Sequence, residues 1–100
     1  MNLLLRKVVH SQAYDNYRVV FRHGDTDFEI GSIGIQHGAG AHTFWRWAID
    51  SVIPARELQM GGTGAGREDC MKQFRAAWER VAADPASLAE FLAAKRRPLR

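Results

Sequence analysis

Residues 42–50 read His-Thr-Phe-Trp-Arg-Trp-Ala-Ile-Asp, and no other stretch limits the fold as strongly. Thr43, Trp45, Trp47 and Ile49 fall on one face of an extended segment, and Phe44, Arg46, Ala48 and Asp50 on the other. A Trp side chain buries roughly 150–250 Å², so the face that holds Trp45 and Trp47 needs a cover. The matching surface lies at 67–83, where Met71, Phe74, Trp78 and Val81 recur at helical spacing with Cys70 and Ala77 beside them. A half-buried strand followed by an amphipathic helix predicts an α+β fold: an antiparallel meander with a long helix on one face and a second, C-terminal helix.

The rest of the meander follows from alternation and turn chemistry. Residues 17–22 alternate Tyr17, Val19 and Phe21 against Arg18, Val20 and Arg22, and 28–35 resume as a second strand after the turn at 23–27. In that second strand Phe28 and Ile30 share one parity and Ile33 and Ile35 the other, which calls for a bulge at Gly31 or Gly34. The turn at 37–41 leads to the Trp-rich strand. This gives three strands over 17–49, and four if residues 3–9 join; the alternative for 1–16 is an N-terminal extension. Residues 50–66, with Pro54, a helical turn at 55–60 and the run Gly61-Gly-Thr-Gly-Ala-Gly66, read as an irregular connector. Two helices follow in 67–96. Glu68 and Asp69 suit the positive end of the first, Asp84-Pro85 is a start signal for the second, and Leu88, Phe91 and Leu92 form its apolar stripe. A basic tail, 97–100, closes a single domain spanning 1–100.

With 46% hydrophobic and 25% charged residues the chain is neither disordered nor a membrane span. No apolar run reaches the roughly 18 residues a crossing needs, and residues 1–7 make a poor signal peptide. Cys70 is the lone cysteine, so no internal disulfide forms, which suits a reducing cytoplasm. The net charge is +3, and Lys95, Arg96, Arg97 and Arg100 contribute four of the positive charges; without them the chain is weakly acidic.

Trp45-x-Trp47-x-Ile49, the Gly-containing loop with an acidic helix start at 62–69, and Met71-x-x-Phe74-x-x-Ala77-Trp78 together resemble a group of small uncharacterised bacterial proteins of about this length. The resemblance spans 17–81 and rests on aromatic and apolar positions, so it implies shared packing and transfers no catalytic residue. Gly66 stands where those chains carry a Ser or Thr N-cap, a change that costs only a few tenths of a kcal/mol.

Few residues point to chemistry. Gly62, Gly64 and Gly66 precede a helix N-terminus and so suggest an anion loop. The pattern lacks the Gly-Lys-Ser/Thr of a P-loop and the spacing of a dinucleotide fingerprint, and Glu68 and Asp69 oppose a phosphate. His10, His23, His37 and His42 have no metal-ligand spacing, so no metal and no cofactor is expected. Cys70 beside an apolar helix face is expected to be buried and inert, and no Ser lies in a nucleophile elbow; catalytic residues are assigned to none. Arg18, Arg22, Phe44 and Arg46 share the outer sheet face, where aromatics among arginines serve either a protein interface or single-stranded nucleic acid.

The leading expectation is therefore a non-enzymatic protein-interaction or regulatory module that self-associates. In that reading Phe91 and Leu92 cover the outer face of a second chain, because 82–85 is too short to carry the last helix around its own sheet. The alternatives are a basic nucleic-acid-binding domain using the outer face with Lys95, Arg96 and Arg97, and a small anion-binding protein at the Gly-rich loop.

Overall fold

The computed structural model describes residues 2–8, 16–40, 42–53 and 58–96. The element order is β1 (Leu3–Lys7), β2 (Asn16–His23), β3 (Thr26–His37), β4 (Thr43–Ile49), β5 (Gly61–Gly64), α1 (Arg67–Ala83) and α2 (Pro85–Arg96). The strands form one antiparallel sheet in the order β1-β2-β3-β4-β5, every neighbour in sequence also a neighbour in space. Both helices pack on one face. The fold class is the expected α+β, but the sheet has five strands rather than three or four.

The extra strands arise for different reasons. β1 pairs Leu3 with Phe21 and Leu5 with Val19, so its alternate leucines join the core face. β5 is the Gly-rich run that reads as a connector. It pairs Trp47 with Gly62 and Trp45 with Gly64. Glycine there is a packing requirement: a Cβ on Gly64 would lie 2.8 Å from Cys70 Sγ, and one on Gly62 would lie 3.0 Å from Trp47 Nε1. Only a bare backbone lets the first turn of α1 and the Trp47 ring approach so closely. Pro54 and the first half of the helical turn expected at 55–60 lie outside the described residues; Leu58 to Met60 are not helical.

β2 and β3 close through the two-residue turn Gly24-Asp25, with Gly24 at φ +60° as twist-matched hairpin turns require. The bulge expected at Gly31 is present. Val19 pairs with Gly31 and Val20 with Glu29, so Ile30 has no partner in that register. Ile30 and Gly31 thus both fall on the core face, which brings Phe28, Ile30 and Ile33 onto one side despite their mismatched parity. At Gly31 the Phe74 ring takes the place of a side chain: a Cβ would meet Phe74 Cε2 at 2.5 Å.

Val19, Phe21, Phe28, Ile30, Ile33, Trp47 and Ile49 form the sheet side of the core, and Cys70, Phe74, Ala77, Trp78 and Val81 the α1 side. Trp78 is fully buried between Phe21 and Phe91, in edge-to-face contacts with ring centroids 5.1 and 5.0 Å apart. α2 therefore lies beside α1 on the same sheet face. Phe91 and Leu92, expected to cover a second chain, are 0% and 6% exposed in their own core. The short link at Asp84 is the physical reason: it permits a tight reversal, with the Asp84 carboxylate capping Ala86 N–H and Ser87 Oγ, and nothing longer.

Candidate functional site

With both helices on one side, no described element lies over the other side of the sheet. The strand register orders its residues in rows. Arg6, Arg18, Ser32, Ala48 and Gly61 form one; Asn16, Gly34, Arg46 and Thr63 form the next; Gln36 and Phe44 pair beyond them. Small residues at the centre and long ones around them leave a hollow of about 210 Å³, lined by Arg18, Ser32, Gly34, Gln36, Arg46 and Ala48 among others. The Asn16 side chain lies over Gly34, where a Cβ would collide with its amide oxygen.

The arginines expected to form a basic platform are mostly engaged. Arg18 donates Nε to Glu29 at 2.9 Å and Nη2 to Asp50 at 2.5 Å. Arg6 reaches the other oxygen of Glu29 at 3.1 Å, and Lys95 from α2 donates to Asp50. The result is a chain of charges, Arg6–Glu29–Arg18–Asp50–Lys95, that ties β1, β2, β3, the end of β4 and α2 together. Val20, between these side chains in the register, is buried. Burial would raise the Asp50 carboxyl, but hydrogen bonds from Arg18 and Lys95 outweigh it and hold the group below its ordinary range. Burial likewise opposes the charge on Arg18, and its bonds to Asp50 and Glu29 overcome this. Arg22 pairs with Asp27 at 2.9 Å and lowers that carboxyl, but both side chains are exposed and the pair contributes little.

Arg46 differs. It is exposed, lines the hollow and makes no ion pair or hydrogen bond with its side chain among the described residues. The same holds for the side chains of Ser32 and Gln36, while Phe44 lies close to His42, ring centroids 6.1 Å apart. Arg96 stacks over the Phe28 ring at 5.3 Å, and Lys95 belongs to the Asp50 pair, so the described part of the basic C-terminus serves the fold. Arg97 and the rest of the tail, like His10, lie outside the described residues.

The Gly-rich segment is not an open anion loop. Gly62 and Gly64 pair with β4, and Gly66 accepts the Cys70 N–H at the start of α1. The chain supplies its own anion: Asp69 Oδ2 accepts from Ala65 N–H at 2.9 Å and from Gln73 Nε2 at 3.2 Å. Gln73, which the periodicity marks only as a polar helix position, also donates to Thr63 O at 3.0 Å and accepts from Trp47 Nε1 at 3.0 Å. It joins β4, β5 and α1, a role visible only once the strand at 61–64 is known.

A second, open hollow of about 570 Å³ lies beside this helix start, lined by Tyr17, Trp45 and residues 65–69. Arg67 on its wall donates to Tyr17 Oη at 3.0 Å and sits 5.3 Å over that ring. Cys70 is fully buried, and burial together with the Asp69 carboxylate raises its thiol, which keeps it protonated. No group of three or more His, Cys, Asp or Glu residues with metal-binding geometry occurs among the described residues. No described helix is long and apolar enough to cross a membrane. No family model, curated protein sequence or solved structure matches the chain.

Proposed function

We propose that this chain is a non-enzymatic interaction module that holds an acidic segment of a protein partner on its open sheet face. The observation that carries the reading is Arg46, an exposed guanidinium with no counter-charge among the described residues, beside a hollow whose neutral donors Ser32 and Gln36 likewise have no side-chain partner among them. Among the described residues the lining of the hollow holds two cations, Arg18 and Arg46, and no carboxylate, and the adjoining ion chain carries three cations, Arg6, Arg18 and Lys95, against two carboxylates, Glu29 and Asp50, so the local excess is positive. Electrostatic complementarity of this kind selects an acidic partner and speeds its approach.

Single-stranded nucleic acid is a second reading, favoured by the His42 and Phe44 rings beside Arg46. The engagement of Arg18, Arg22 and Lys95 with carboxylates weighs against it, because phosphate binding draws on cations free to release counterions. Self-association through this face would bring an exposed carboxylate of one copy, such as Glu68 or Glu79, to Arg46 of another.

Titration of the protein with oligoglutamate and with an oligothymidylate of equal length, alongside sedimentation of the protein alone, separates these cases. Binding of oligoglutamate that Arg46→Glu abolishes is the expected result. Preference for the oligonucleotide, lost in Phe44→Ala, assigns the face to nucleic acid. A dimer at micromolar concentration that Arg46→Glu dissociates assigns it to self-association, and a monomer that binds neither polymer overturns the open face as a docking surface.

A further inference from the structure

We propose that the hollow between Arg18 and Arg46 is a binding site for one oxyanion, a carboxylate or a phosphate group. The inference rests on the open face being the working surface and goes on to name the group held there. Three side chains with no partner among the described residues, Arg46, Ser32 and Gln36, line the same small space. A guanidinium and a hydroxyl present N–H and O–H donors, and the Gln36 carboxamide adds two more. Arg18 adds N–H donors in a fixed position rather than a free charge, because Glu29 and Asp50 match its charge and hold three of its N–H groups, leaving two.

Size limits the ligand. About 210 Å³ falls below the roughly 300–1,000 Å³ of pockets that enclose drug-sized molecules. It is of a size for a single oxyanion. Sign limits it further: Asn16, Ser32 and Gln36 are neutral, and Glu29 and Asp50, the described carboxylates that adjoin the lining through Arg18, are already bonded to it. A cation entering here would meet Arg46, with no free carboxylate among the described lining residues to balance it. The shallow floor comes from Gly34 and Ala48 lying next to Ser32 in the central strands, so the site is built by the register of β3 against β4.

The test is an amide-resolved NMR titration of the full chain with inorganic phosphate, with acetate and with oligoglutamate, ionic strength held constant by chloride. Saturable shifts at Ser32, Gly34, Arg46 and Ala48 are expected, with affinity weakened about tenfold or more in Arg46→Gln. Arg80→Gln, an exposed cation of α1, should bind as the parent does. If Arg46→Gln does not give a folded spectrum, Ser32→Ala and Gln36→Ala together provide the same comparison. Saturation by phosphate and acetate but not by oligoglutamate upholds the pocket and removes the protein-partner reading. Oligoglutamate binding with the four amides silent does the reverse and overturns the pocket, as do shifts that never saturate or that are equal in parent and variants.

Discussion

The Asp50 carboxylate accepts from both a strand arginine and a helix lysine, and so ties β2 to α2. The Arg18 and Lys95 side chains are 29% and 19% exposed and that of Asp50 is 25% exposed, so the three are too wet for the full cost of breaking a buried pair and too dry for a surface one. Asp50→Asn should therefore destabilise by about 1–3 kcal/mol at neutral pH, a value reduced from the roughly 3–5 kcal/mol of fully buried cases. The pH dependence has a definite sign. The folded-state carboxyl titrates below its ordinary 3.8, so its contribution is complete above that value and is lost as pH falls through the lower folded-state value. Denaturant melts of parent and Asp50→Asn should differ at pH 7 and converge in strong acid. Trp47 and Trp78 show a further contrast at this scale: the Trp47 N–H is bonded to Gln73, whereas the buried Trp78 N–H has no hydrogen-bond partner and sits among aromatic rings.

Glycine sets the geometry of two of the strands. Gly31 makes room for Phe74 at the bulge of β3, and Gly64 makes room for Cys70 beneath the first turn of α1. Gly31→Ala should cost about 1–3 kcal/mol or more, the range of an overpacked core, because the ring it meets is fully buried and has nowhere to turn. Gly24→Ala is a useful contrast. Its φ of +60° makes the change unfavourable through backbone strain alone, since open space surrounds its Cα. Thermal melts of the two variants, with hydrogen exchange at Phe74 and Ile30, should show core loosening in the first and an intact core in the second. Equal, small losses without core loosening would mean that α1 does not press on the bulge.

Across the whole molecule the sheet separates packing from recognition. One face carries both helices and the core cluster around Trp47, Phe74, Trp78 and Phe91, and the other carries buried Val20, the ion chain, the hollow and Arg46. Phe91→Glu is the substitution that tests this division. If α2 completed a partner's sheet it would yield folded monomers; with Phe91 fully buried against Trp78, it should instead unfold the chain, as a charge placed in a core does. Circular dichroism and sedimentation on the same samples distinguish the two results. Removal of residues 97–100 alone leaves Lys95 and Arg96 in place, so the contacts with Asp50 and the Phe28 ring survive it.

The local pattern of the chain determined the element types. Alternation at 17–22 and 43–49, the parity break near Gly31, helical spacing from Met71 to Val81 and the Asp84-Pro85 start all depend on side chains repeating along one element, and each has its counterpart in the fold. Tertiary structure decided what depends on partners far apart in sequence. A run of glycines has no side-chain period, so β5 exists only because β4 offers an edge and α1 needs a thin strand beneath it. The side of the sheet taken by α2 was settled by the tight reversal at Asp84 and the aromatic cluster waiting beside it. The arginines of the outer face look alike in sequence, and only the positions of Glu29, Asp27 and Asp50 distinguish the three that are engaged, Arg6, Arg18 and Arg22, from Arg46. Periodicity is written in neighbouring residues, whereas charge pairing and close approach are set by distances that exist only after the chain has folded.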